Sequence, residues 1–134
     1  MNVINFENVE NELCRLSAAG HYYSAAPSAA DASDIARQPL LTPAESRRYR
    51  VYVEQALRVA VAAVRAWLKD LSWTDAGVTF SAPVDLTEEL ISTAAHRVWS
   101  RILSASGHHA ASEAAAETAR QLLATLVGRM LPFG

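Results

Sequence analysis

The chain holds a single cysteine, Cys14, and its five glycines, at positions 20, 77, 107, 128 and 134, are scattered one at a time. One thiol cannot close an internal disulfide or build a thiolate cage for a metal. Lone glycines exclude a glycine-rich phosphate loop, and no serine is framed by glycines as a nucleophile elbow requires. Long apolar runs are missing too. The most apolar stretch, VAVAAVRAWL, is interrupted by Arg65 and is too short to span a bilayer. The opening MNVINFENVE has neither the basic region nor the apolar core of a signal peptide. No membrane partner and a reducing, cytoplasmic location are therefore expected. Charge of one sign is also scarce: the net charge is -2, which fits neither a strongly basic nucleic-acid binder nor a disordered polyelectrolyte.

What is present is apolar and helical in character. Of 134 residues, 51% are hydrophobic, and many of these are alanine, which favours helix and allows helices to approach closely. A chain of this length buries roughly two-thirds of its unfolded surface, enough for one core. Cys14 lies beside the apolar stripe of the first helix and reads as a small half-buried residue.

The periodicity predicts a short first helix over Phe6–Ala19, capped by Asn5 and stopped by Gly20. Phe6, Val9, Leu13 and Leu16 make its apolar stripe, and Glu7, Glu10 and Glu12 make an acidic side. Residues 21–41, rich in Ala, Ser and Asp and carrying Pro27 and Pro39, read as a flexible linker, with a short helical turn near Ser33 to Arg37. They are the expected site of protease cleavage. A long second helix follows, with Thr42 as cap, Pro43 at the first turn, Glu45 closing a capping box, and no breaker before Lys69. That is about 27 residues, or roughly 40 Å. Its apolar circumference is so wide that it is expected at the centre of the bundle or between subunits.

The period then switches from 3.6 to 2 on both sides of TDAG. Leu71 and Trp73 lead in, Val78 and Phe80 lead out, and the span 71–82 reads as a β-hairpin. A third helix starts after Pro83, capped by Asp85 with Glu88 reaching back, and runs to Ser104. Gly107 breaks the chain, and a fourth helix covers Ala111–Met130. The expected fold is a mainly α bundle of three main helices plus a short N-terminal one, in a single domain, with the hairpin inserted between helices two and three.

The chemistry is sparse. Glu88 and Glu89 are paired carboxylates at a helix start, where capping and the helix dipole already explain them. His108, His109 and Glu113, with His96 on the preceding helix, are the best metal candidates. A polar turn with solvated imidazoles explains them better, since no established zinc spacing is present. No catalytic residue, metal or cofactor is expected.

The candidate surface is ESRRYRVY. Arg47, Arg48 and Arg50, with Tyr49 and Tyr52, form a basic and aromatic cluster at the start of the second helix, where the helix dipole mildly disfavours cations. Nucleic acid is one reading, but three phosphate contacts give weak, salt-sensitive binding, and no helix-turn-helix spacing surrounds the cluster. The favoured reading is protein contact with the acidic face of the first helix, within the chain or across subunits. Trp73 and Phe80 on the hairpin, and Leu131 and Phe133 in RMLPFG, complete the candidate set. Phe133 is expected to dock under the hairpin of its own chain or into a neighbour. Trp67 and Trp99 would line the pocket of a third alternative, a ligand-binding bundle.

Over Pro43 to Met130, the layout of helical core, projecting hairpin and terminal segments resembles the small head–tail connector and neck proteins of tailed phages. The resemblance is one of layout and carries no motif. It implies a ring of subunits with the hairpin and termini on neighbours. The expected function is thus a non-enzymatic assembly subunit, a homo-oligomer or a partner of other subunits.

Overall fold

The computed structural model describes the backbone of residues 1–25 and 38–134, and the side chains of 1–20 and 38–134. Its elements are β1 (Asn2–Asn5), α1 (Phe6–Ala25), α2 (Pro43–Ser46), α3 (Arg50–Ala63), β2 (Lys69–Trp73), β3 (Gly77–Ser81), α4 (Thr87–Ala105) and α5 (His109–Met130). Short 3₁₀ turns cover Arg47–Tyr49, Arg65–Trp67 and Leu131–Phe133. The fold is a helical bundle with a small antiparallel sheet of order β1-β3-β2. Among the described residues no helix is long and apolar enough to cross a membrane.

The hairpin forms where the alternation placed it. Ser72 pairs with Thr79 and Trp73 with Val78, and the Thr74 amide donates to the Gly77 carbonyl at 2.8 Å to close the turn. It is not alone, however. β1 adds to its other side, with Ile4 opposite Val78 and Asn5 opposite Gly77. This third strand resolves the weakness of a two-stranded hairpin in water. Glycine is required at position 77 by that pairing: a Cβ there would fall on the Ile4 carbonyl oxygen and 2.7 Å from Asn5 Cα. Between Lys69 and Ser72 the β2 strand gains one residue over its partner, a bulge, and Asp70 adopts a left-handed φ of 55° to make it. Ile4, Val78 and Phe80 turn inward and join the helical core.

The second helix is not one continuous rod. The Thr42 hydroxyl accepts from the Glu45 amide at 3.2 Å, as a cap should, with Pro43 in the first turn. The Glu45 carboxylate meets the Thr42 hydroxyl rather than its amide. The chain tightens to 3₁₀ geometry at Arg47–Tyr49 and again after Val64, so α3 is only 14 residues long. No glycine or proline marks either break. Five valines lower the helical preference of this stretch, and the second break puts Leu68 into the core and aims Lys69 into β2.

The central helix is α4, not the second helix. It packs against α1, α3 and α5. Leu90, Ala94, Ala95, Val98, Trp99, Ile102 and Leu103 are all buried on it. The alanine-rich half of α5 lies close against it, and there Ser100 and Ser112 each donate to the other's backbone carbonyl at 2.8 Å. The Asp85 carboxylate accepts from the Thr87 amide at 3.0 Å just ahead of α4, but the capping residue is Leu86, whose carbonyl takes the first helical bond, so the capping box expected of Asp85 and Glu88 is not formed. At its far end Gly107 takes φ 83°, and the His108 and Gly107 amides donate back to the Leu103 and Ser104 carbonyls, closing a Schellman turn.

α1 passes through Gly20 rather than stopping there. A Cβ at Gly20 would meet the amide end of the Gln38 side chain, which can turn aside. The expected turn at Ser33 to Arg37, and most of the expected linker, lie outside the described residues. The returning chain is anchored: Leu41 is buried, and its amide donates to the Ser17 hydroxyl at 2.9 Å.

Candidate interaction surface

The ESRRYRVY cluster divides into three fates. The 3₁₀ turn at Arg47–Tyr49 shifts the helical phase, so the three arginines do not share one edge. Arg50 faces α1. Its Nε and one terminal nitrogen donate to both oxygens of Glu10, at 2.6 and 2.8 Å. Glu10 is 1% exposed. Its hydrogen bond holds the Arg50 guanidinium above its ordinary pKa, against a smaller opposing effect of desolvation. This is the contact with the first helix that the sequence favoured, made within one chain and by one arginine of the three.

Glu10 was expected on an acidic outer side with Glu7 and Glu12, and it is instead inside. Glu12 pairs with Arg15 of the same helix, and Glu7 remains exposed. The spacing held a usable signal. Phe6, Glu10, Leu13 and Ser17 lie four, three and four apart, so Glu10 continues the buried stripe.

From Arg50 a stack runs across the sheet. Its guanidinium lies 5.6 Å from the Phe6 ring centre, and Phe6 stacks on Trp73 at 6.5 Å and 15°. Arg58 covers the Trp73 ring at 4.1 Å and pairs with Glu54 at 3.2 Å. Trp73, expected at an interface, is therefore half-buried and used to join β2, α1 and α3. Phe80, expected with it, is fully buried core and presents no surface.

Arg47 and Arg48 are exposed and meet no carboxylate among the described residues. Tyr49 is half-buried, 6.4 Å from Tyr52. Tyr52 turns towards α4, where the Arg101 guanidinium lies 4.3 Å over its ring. Beyond it, α3 leaves Val51 and Val59 exposed, at 64% and 43%.

At the other end of the molecule Met130 is buried and closes the core, whereas Leu131 and Phe133 are 64% and 52% exposed. The expected plug under the hairpin is not formed within the chain. Phe6 occupies the stacking face of Trp73, and the last turn instead runs beside Trp67, whose indole nitrogen would lie 2.9 Å from a Cβ on Gly134. Trp67 and Trp99 do not share a pocket: Trp99 is core against α1, and Trp67 borders a shallow hollow with Lys69 and Pro83.

Among the described residues no three His, Cys, Asp or Glu side chains gather where they could hold a metal. His96, one of the sequence candidates, has its Nδ1 2.8 Å from the Ser92 carbonyl of its own helix. No buried side-chain polar atom among the described residues lacks a hydrogen-bond partner. The described surface offers exposed arginines, Tyr52 and apolar side chains. Comparison with known protein families, with curated proteins and with solved structures finds no match for this chain.

Proposed function

We propose that this chain is a non-enzymatic assembly subunit that works through contacts with other protein subunits, copies of itself included. The observation that carries the reading is the apolar material left outside a completed core. Leu131 and Phe133 extend the apolar face of α5 past the last buried residue, and fully covering a side chain of this size contributes about 1.5–3 kcal/mol. Val51, Tyr52 and Val59 do the same along α3. Clusters of this kind mark surfaces that meet other proteins. Within this class, the layout resemblance to head–tail connector and neck proteins points to a ring, in which the Leu131–Phe133 end of one subunit meets the next. The place of action is then the cytoplasm or a virion.

Arg47 and Arg48, exposed and without a carboxylate partner, support a second reading in which a small regulatory protein meets a polyanion. With Arg50 engaged by Glu10, two cations remain for phosphate, so binding should be weak and lost at moderate salt. Two measurements separate the readings. Light scattering across a wide concentration range should show association of the full chain, and a gel shift with unspecific DNA should show none at moderate salt. A strictly monomeric chain overturns the assembly reading, and a DNA shift abolished by Arg47→Glu with Arg48→Glu replaces it.

A further inference from the structure

α3 and α5 flank α4 but touch each other little, and between them runs a trough of about 450 Å³ at its widest. Ala56, Val59 and Ala60 form one wall, Ala119 and Leu123 the other, and α4 is the floor. A smaller hollow bordered by Tyr52, Gln55 and Val98 adjoins it on the α3 side. Measured along α4 from Thr93 to Arg101, the trough is roughly 12 Å long, or about two helical turns. Two features define what fits. The walls are apolar and mostly alanine, so another backbone can come close, and a seam between two helices lying on a third is where ridges of one more helix settle. The trough is open to solvent along its length, whereas small-molecule sites enclose most of their ligand.

The floor is cationic. Arg97 and Arg101 lie one turn apart on α4, both exposed, and neither meets a carboxylate among the described residues. The one charged group on the walls, Arg120, is already paired with Glu117. Arg101 is held over the Tyr52 ring, and so is partly ordered before any partner arrives. Two carboxylates four residues apart on a helix would match the two guanidinium groups. A second copy packed face to face about a two-fold axis would instead bring four unpaired arginines together, which is unfavourable.

We propose that this trough receives an acidic amphipathic helix of another protein, with apolar residues set on the alanine walls and a carboxylate pair on Arg97 and Arg101. The proposal rests on the protein-contact reading and gives it one surface and one class of partner.

The test is selection of a displayed library of randomised 18-residue helical peptides on the full chain, followed by fluorescence anisotropy with the most enriched peptide. The enriched sequences should carry Asp or Glu pairs four apart beside an apolar stripe. The peptide should bind Arg97→Glu/Arg101→Glu at least about tenfold more weakly, and Arg47→Glu/Arg48→Glu as it binds the parent. Arg97→Ala/Arg101→Ala should give a smaller loss in the same direction, which guards against misfolding of the reversed variant. Absence of any binder, binders without the acidic pair, or an affinity indifferent to Arg97 and Arg101 overturns the proposal. An oligomer that forms while the trough selects nothing would remove this inference alone and leave the assembly reading standing.

Discussion

Removing Arg50 strands a carboxylate that is almost wholly out of water, whereas removing Glu10 leaves a guanidinium that can turn outwards. The two substitutions should therefore differ in cost. Arg50→Ala should lose about 2–3 kcal/mol, below the range for a fully buried pair because Arg50 itself is partly exposed. Glu10→Gln retains an acceptor and should lose about 1 kcal/mol. Urea unfolding of both variants reads the difference, and equal losses would mean that Glu10 is not buried as described. Asp70 makes a second prediction at this scale. Its left-handed backbone disfavours branched side chains, so Asp70→Val should cost about 1–2 kcal/mol, and Asp70→Gly should be neutral or stabilising. A harmless valine would rule out the bulge.

Among the elements, β1 depends on Gly77, since any Cβ there meets strand backbone that cannot move aside. Gly77→Ala should cost about 1–3 kcal/mol. It should also free the amides of the first strand, with hydrogen exchange accelerated up to Phe6, whose amide donates to the Ala76 carbonyl. Unchanged exchange would show that β1 does not pair with β3. The start of α4 responds to acid. The Thr87 amide holds the Asp85 carboxyl below its ordinary pKa, so this contact stabilises the fold above that value and is lost as pH falls through the lowered one. Asp85→Asn should flatten the decline in melting temperature below about pH 4. An identical decline would assign it to other carboxylates.

The elements also show what the sequence could reveal. Hairpin, Schellman turn and Thr42 cap each have a local chemical signature, and each is where its residues put it. β1 has four residues, too few for alternation to speak, and its partner lies more than seventy residues away. The breaks around α3 carry no breaker residue, and the second follows from where Leu68 and Lys69 must go. The wide apolar face of α4, with Leu90, Val98, Trp99, Ile102 and Leu103 beside Ala94 and Ala95, is visible in the sequence, but that three other helices share it depends on how the chain folds back. At the candidate surface, Arg47, Arg48 and the exposed Leu131 and Phe133 were legible one residue at a time. That Arg50 would leave the cluster for Glu10, and that Arg97 and Arg101 would face a trough, required knowing which helices are neighbours.

For the whole molecule the central claim is that its exposed apolar residues are contacts awaiting another subunit. The Leu131–Gly134 turn is the place to test it, because Met130 already closes the core and the turn can be removed without opening it. Sedimentation equilibrium on the full chain and on a chain shortened by those four residues, with thermal melts of both, is the most direct measurement. The expected result is an associating full chain and a shortened chain that is monomeric and melts as a folded monomer. Equal association of the two chains, or a full chain that stays monomeric at every concentration, would contradict it.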